Sequence, residues 1–360
     1  MMNNPNINHL QGPVCSLPLH HNDQIVIGHG SGGQMTNDLI KNVFYQKFSN
    51  PILDMNNDAA LIDLLLDNDK KGFLVTAIDA HIVSPLFFSG GDIGRLAICG
   101  TVNDVAMLGA KPLYITASFI IEEGFSINAL EKIASSMQLA CQEANVKIVA
   151  GDTKVTEKGK SDGLFISTTG IGWVPASRQI GGQFARPGDA VIISGTLGDH
   201  GIAVLEARGN LGFHSTIQSD VAPLNEMIEI LLTEVPNTHV LRDPTRGGLA
   251  TSLVEIAYQS EVTIQIDETS LPIRPTVQTA CEMLGFDPLY IGNEGKVIVI
   301  LPEADVDNAL EALRSHPYGK AAVRIGSVVQ NSPGRVLLTT PLGSNRILEM
   351  LAGEILPRIC

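Results

Sequence analysis

The hydrophobic positions of this 360-residue chain follow two spacings in turn, about every second residue and about every third or fourth. A short apolar run at 24–27 enters a glycine turn, and Leu39, Ile40, Val43 and Phe44 then mark one face of a helix. Strands are expected at 52–55, 59–66 and 73–78, the first two linked so tightly through Asn56-Asn57-Asp58 that they suggest a hairpin. Gly90-Gly91-Asp92-Ile93-Gly94 opens a helix running to about 108. A strand at 113–121 follows, then an amphipathic helix at 126–144 with Leu130, Ile133, Met137 and Cys141 inward, and strands at 146–150 and 164–171. Gly181-Gly182 and Arg186-Pro187-Gly188 mark a boundary. Beyond it strands are expected at 190–194, 296–301, 322–328 and 335–339, with helices at 249–258 and 303–314. Helical spacing at 345–352, a Gly353 stop and Pro357 predict a last short helix. Strands and helices alternate without strict βαβ regularity, so the fold class is α+β, two mixed α/β-layered domains. The expected divisions are an extended arm over 1–23, domains over 24–180 and 181–340, and a mobile tail over 341–360 that carries Cys360 at its tip.

Composition narrows the function classes. At 44% hydrophobic the chain is globular, and a formal net charge of -14 argues against nucleic acid or an anionic membrane as partner. Residues 1–23 lack an apolar leader core, and the apolar stretch at 96–121 is broken by Asn103, Asp104, Lys111 and Pro112. Five scattered cysteines without C-x-x-C spacing fit a reducing cytoplasm, with Cys99, Cys141 and Cys281 in apolar, core-like contexts.

Candidate chemistry gathers at loops. Gly28-His29-Gly30-Ser31-Gly32-Gly33 between strand and helix has the geometry of an anion-binding turn. The same string satisfies G-x-G-x-x-G, with Asp54 at a ribose-binding distance, so a nicotinamide-linked oxidoreductase is a rival; the hairpin at 52–66 opposes its parallel crossover. Asp58, Asp79, Asp92 and Asp104 are carboxylates framed by apolar residues. Each reads singly as a helix or turn cap, and together they read as hard-cation ligands suited to Mg²⁺ with phosphates. Lys154, after Gly151-Asp152-Thr153, reads either as a phosphate contact or as a surface lysine. A third reading, a non-enzymatic module whose terminal carboxylate a partner captures, leaves the interior aspartates unexplained.

Taken in order, these motifs with Asn57-Asp58-Ala59-Ala60, Pro85-Leu86-Phe87-Phe88, Gly100-Thr101-Val102-Asn103-Asp104, Asp243-Pro244-Thr245-Arg246-Gly247-Gly248, Gly292-Asn293-Glu294-Gly295 and the terminal Pro357-Arg358-Ile359-Cys360 closely resemble one family. It is the hydrogenase maturation factor HypE family of carbamoyl dehydratases, in the superfamily of aminoimidazole ribonucleotide synthetase and selenophosphate synthetase. The terminal tetrapeptide separates this family from its relatives; a selenophosphate-synthetase-like kinase would need a reactive residue near the N-terminus, where only Cys15 stands.

The resemblance implies an ATP-binding homodimer. It also implies a carbamoyltransferase, HypF, that loads Cys360, ATP-dependent dehydration of the carbamoyl group to a thiocyanate, and a HypC–HypD iron-carrying complex that accepts the cyanide for a [NiFe] hydrogenase. On this basis Cys360, Glu294 and Lys154 are the expected catalytic residues, Glu294 as general base. Gly30, Ser31, Gly32, Gly33, Asn103, Gly151, Thr153, Lys154 and Arg246 are expected to hold nucleotide, and Asp58, Asp79, Asp104 and Asp243 to hold Mg²⁺, Asp92 being open between ligand and cap.

Overall fold

The computed structural model describes residues 33–39, 41, 55, 60–63, 71–209, 216–330, 332–353 and 356–360. The N-terminal arm, Gly30, Ser31, Gly32, Asp54, Asp58 and Cys15 lie outside the described residues.

The first half contains α1 (Gln34–Leu39), β1 (Ala60–Asp63), β2 (Gly72–His81), the short pair β3 (Phe87–Phe88) and β4 (Gly91–Asp92), α2 (Ile93–Ala106), β5 (Lys111–Glu122), α3 (Ile127–Glu143), β6 (Lys147–Thr156) and β7 (Leu164–Pro175). Five strands form one sheet in the order β1-β2-β7-β5-β6. β1 and β2 pair antiparallel, with Ala60 opposite Thr76; the hairpin expected over 52–66 lies mostly outside the described residues. β5 and β6 pair parallel across α3, and the other neighbours pair antiparallel.

The second half contains β8 (Asp189–Ile193), α4 (Asp199–Ala207), α5 (Asn225–Glu234), β9 (Val240–Arg242), α6 (Gly248–Gln259), β10 (Thr263–Asp267), α7 (Pro275–Leu284), β11 (Ile298–Pro302), α8 (Val306–Ser315), β12 (Val323–Val329), β13 (Arg335–Thr339) and β14 (Asn345–Leu348). Its seven-stranded sheet runs β14-β13-β10-β12-β8-β11-β9 and mixes parallel with antiparallel pairs. The α+β class follows.

α2 explains how the halves meet. Twelve of its fourteen residues are buried, among them Ile93, Leu96, Ile98 and Val102. A helix apolar on every side is covered on every side. Its core cluster takes Ile115 and Ile166 from the first sheet, and Ile202, Val277 and Ile291 from the second half. Asp92 caps it, its Oδ1 accepting from Gly94 N at 2.7 Å and Arg95 N at 3.1 Å, so the cap reading of Asp92 holds. The buried cysteines Cys99, Cys141 and Cys281 are unpaired, as expected of core positions. No helix among the described residues is long and apolar enough to cross a membrane.

Two local expectations need correction. The stretch at 345–352 is not a helix: Asn345–Leu348 forms β14 against β13, with Leu348 opposite Val336. Eight residues are too few to stabilise a helix alone, and an available strand partner outweighs their spacing. The 146–150 strand also runs on to Thr156, so Gly151-Asp152-Thr153-Lys154 lies within β6 and not in a loop beyond it.

Candidate active site

The site forms where β2, α2 and three loops of the second half converge. Asp79 and His81 are two apart on β2 and therefore share a sheet face. That face meets α2 at Gly100. A Cβ built there would lie 3.1 Å from His81 Cε1, 3.5 Å from Asp79 Oδ2 and 4.0 Å from Glu294 Oε2. Glycine at 100 thus leaves three ionisable side chains around one small space. His81 Nε2 lies 3.6 Å from Asp79 Oδ2, and Arg246 approaches Asp79 Oδ1 at 3.9 Å.

The second half contributes through loops tied by one buried amide. Asn293 Oδ1 accepts from Gly198 N at 2.7 Å, and its Nδ2 donates to Pro244 O and Ile291 O at 3.0 and 3.1 Å. The loops before α4, before α6 and before β11 are thereby locked together, and Asp243, Arg246 and Glu294 are brought near β2. Behind Glu294, Asp220 accepts from the Glu294 N–H at 3.0 Å and pairs with buried Lys296 at 2.8 Å.

Glu294 is 4% exposed, and burial, reinforced by the nearby charges of Asp79, Asp243 and Asp220, pushes its carboxyl well above the usual range; Arg246 only partly opposes this. His81 shifts the other way: burial holds its imidazole below the ordinary value, against the attraction of Asp79 and with the repulsion of Arg246. His81 Nδ1 is buried and lacks a hydrogen-bond partner among the described residues. Asp220 stays below the usual carboxylate range although burial would raise it, because Lys296, His200 and the Glu294 N–H all favour its charge.

The tail ends at this cluster. The expected free arm is instead seated here: Ile82 N, just past His81, donates to Cys360 O at 3.1 Å, and Ser84 N donates to Arg358 O at 3.1 Å. Leu356 and Ile359 are buried in the core shared with α2. Arg358 forms an ion pair with Asp162.

Other expected residues fall into different places. Asp104 is half-buried one turn beyond Gly100 on α2. Asn103 is not offered to a ligand: its Nδ2 donates to Ala222 O at 3.0 Å and Glu294 O at 3.3 Å, and its Oδ1 accepts from Leu224 N at 2.8 Å. It ties α2 to the second half. Asn103→Ala should therefore cost about 2–4 kcal/mol by leaving buried groups unpaired, read as a lower urea midpoint. An unchanged midpoint would contradict this role. Gly33 likewise serves the tail: the Leu351 carbonyl occupies the space a Cβ would need, and Gln34 N donates to that oxygen at 2.8 Å.

Lys154, Gly151 and Thr153 are not brought to the cluster within one chain. Gly151 lies in one row with Ala117, Thr168 and Asp79, three strands and about 14 Å across the sheet. Lys154 aligns with Ile120 and Phe165, on the face opposite Asp79, and pairs with Asp152 in solvent.

Asp79, Asp243 and Glu294 are hard oxygen donors whose mutual repulsion exceeds what Arg246 offsets, a chemistry that fits a hard cation. Among the described residues no three acidic, histidine or cysteine side chains stand close enough to hold a metal by themselves. Sequence reasoning missed His81, His200 and Arg208. The two-residue spacing from Asp79 on a buried strand signals His81; no local pattern signals the other two.

Comparison with known proteins agrees with this architecture. Residues 56–174 match the N-terminal domain of AIR synthase related proteins, and residues 186–338 match the C-terminal domain. The carbamoyl dehydratase HypE of Cupriavidus necator is 51% identical over 337 residues, 94% of this chain and 95% of that protein. That of Escherichia coli is 41% identical over 341 residues, 94% of this chain and all (100%) of that protein. Among solved structures, a HypE–HypF complex superposes with a TM-score of 0.81 at 50% identity, covering 87% of this chain and 99% of the other. HypE in complex with ATP superposes with a TM-score of 0.78 at 48% identity, covering 94% of this chain and 100% of the other. Two domains, the acidic cluster between them and the terminal cysteine seated beside it accord with these likenesses, and the chain belongs to the HypE family of carbamoyl dehydratases.

Proposed function

We propose that this protein dehydrates a carbamoyl group carried on its own Cys360 thiol, using ATP, and so forms the thiocyanate that supplies cyanide ligands for a [NiFe] hydrogenase. The observation that carries this reading is the seat of Cys360, whose carbonyl is held by the residue following His81, beside Asp79 and Glu294. An amide oxygen leaves poorly. Transfer of the ATP γ-phosphoryl group to it gives a good leaving group, and loss of phosphate with a proton from nitrogen leaves S–C≡N.

Glu294 takes that proton. Burial among carboxylates makes its anion a strong base, and the Arg246 charge lowers the cost of ionising it. Asp79 and Asp243, with Asp58 and Asp104, would hold Mg²⁺, which would neutralise phosphoryl charge when bound. Arg246 holds nucleotide phosphate from the same side. The loop at 30–33 is proposed to meet the nucleotide, Gly33 through the tail contact it permits.

Lys154 acts in this scheme through a second copy. The face that carries it also carries Ile78, 72% exposed, together with Ile120, an apolar surface suited to burial in a homodimer. Phosphate would then bind Lys154, Gly151 and Thr153 of one protomer. HypF is the proposed carbamoyl donor, in keeping with the HypE–HypF complex, and a HypC–HypD complex the acceptor. The working division keeps residues 24–180 and 181–340 as the two domains and 341–360 as the tail, whose first segment, β14, joins the sheet of the second domain.

The test is the mass of the C-terminal peptide after incubation with a carbamoyl-loading partner, Mg²⁺ and ATP. A carbamoyl adduct replaced, only with ATP, by one lighter by a water is expected. A loaded tail that keeps its carbamoyl group beside bound ATP would leave a carrier and not a dehydratase.

A further inference from the structure

All four carbonyls of the terminal tetrapeptide are captured. Pro357 O and Arg358 O accept from the Arg208 guanidinium, the latter at 2.9 Å, and Arg208 Nε donates to Ser84 O at 2.9 Å. Ile359 O lies 2.6 Å from His200 Nε2. Cys360 O and Arg358 O accept from Ile82 N and Ser84 N at 3.1 Å each, a two-residue ladder. A carbonyl can only accept, so His200 carries its proton on Nε2, and Nδ1, 2.8 Å from Ser219 Oγ, accepts from that hydroxyl. The ring is fully buried and edge-on to Phe88, so it cannot turn away without losing both partners. His200 stands in the first turn of α4 and Arg208 is its C-cap residue, eight positions on and about two turns away, so a single rigid element spaces the two contacts.

We propose that His200 and Arg208 are positioning residues that set the register of the tail, and thereby deliver the Cys360 sulfur to the Asp79–Glu294 centre. They read backbone carbonyls, so the seat is independent of whether the thiol is free, carbamoylated or cyanated. Side-chain selectivity comes from Arg358, paired with Asp162, and from buried Leu356 and Ile359, whose Cδ1 would be displaced by any side chain at Gly292. The consequence is one dock for substrate, intermediate and product, with Arg208 as the outer clasp, half-exposed, and His200 as the inner one. This rests on the reading of Cys360 as the group-carrying thiol.

The test follows alkylation of Cys360 by iodoacetamide in the full chain, read by peptide mass, alongside turnover. Arg208→Ala is expected to raise the Cys360 alkylation rate roughly tenfold or more, because contacts from a charged donor are the strong ones. It should lower kcat for the cyano adduct by a similar factor while the KM for ATP stays the same. Arg208→Lys keeps a charge without the planar fork, and should fall between the two. His200→Gln, able to keep an N–H donor, should disturb the tail less than His200→Ala. Arg178→Ala removes another arginine–carbonyl contact, to Gly109 O at 2.8 Å, and is expected to change neither rate, which separates tail register from general loosening. Equal alkylation rates in Arg208→Ala and the unaltered protein would overturn the proposal, as would a loss of kcat that Arg178→Ala reproduces. Alkylation needs no carbamoyl loading. Absence of cyano product even from the unaltered protein would therefore count against the functional reading, and the alkylation rates would still decide the clasp.

Discussion

Glu294→Gln is expected to cut cyano-adduct formation by about 10²–10⁴-fold while ATP binding is kept, and to give a stability advantage over the unaltered protein that grows as the pH rises. Both effects come from one buried carboxyl group. Glutamine has nearly the same shape but cannot take the proton that leaves nitrogen. The stability effect has a definite sign. The folded-state pKa of Glu294 is raised well above its ordinary value of 4.5. Below that ordinary value the group is neutral both folded and unfolded, and it has no effect on the balance. Above it the unfolded chain ionises while the folded chain holds its proton, so stability falls with pH by up to about 1.4 kcal/mol per unit until the folded-state value is passed. Glutamine removes this loss. Urea unfolding of the nucleotide-free protein at several pH values checks it: the advantage of Glu294→Gln should grow from pH 5 upward. Parallel curves would remove the raised carboxyl, and an unchanged dehydration rate would remove the base.

Cys360→Ala should abolish carbamoyl and cyano adducts on the C-terminal peptide and leave the unfolding midpoint almost unmoved, within about 0.5 kcal/mol. The tail is anchored by its carbonyls and by Leu356 and Ile359, not by the thiol that does the chemistry. A contrast is Ile359→Ala, which removes a buried side chain worth about 2–4 kcal/mol and should loosen the seat while the thiol stays in place. Adducts that persist without Cys360 would move the chemistry elsewhere. A large fall in stability would instead make the sulfur part of the anchor.

The seated tail changes the electrostatics expected of Cys360. Arg358 is the basic residue two positions before the Cys360 thiol. In the folded chain its guanidinium is engaged by Asp162, and its backbone takes a left-handed φ of 59° that few non-glycine residues adopt. That conformation turns the chain between the Pro357 and Ile359 contacts. Arg246, supplied by the loop before α6, brings a cationic group to the acidic cluster and approaches Asp79 at 3.9 Å.

Much of this architecture was legible in local pattern. The strands β1 and β2, α2 with its Asp92 cap, the amphipathic α3 and the strands at β8, β11, β12 and β13 all follow from spacing and caps, because each is stabilised largely by residues near in sequence or by an unambiguous apolar face. Asp79 stood out because an acidic residue framed by apolar residues needs a reason to be there, whereas Asp243 and Glu294 were marked only by the motifs that carry the family resemblance. Where reading by spacing failed, a distant partner decided. β14 became a strand only because β13 offers it an edge, and β6 extends past Ala150 only because β5 continues beside it.

The sequence by itself determined the α+β class, the acidic and glycine motifs and the terminal cysteine, because those are properties of residue type and short-range order. Only the tertiary structure decided that Asn103 binds two halves together and not a ligand, that Gly33 admits the tail, and that Lys154 faces away from Asp79. It also decided that His200 and Arg208 hold the carbonyls of Pro357, Arg358 and Ile359. Such roles depend on where backbone groups some 150 residues apart come to rest, as in the Arg208–Arg358 pair, and a carbonyl has no letter in the sequence.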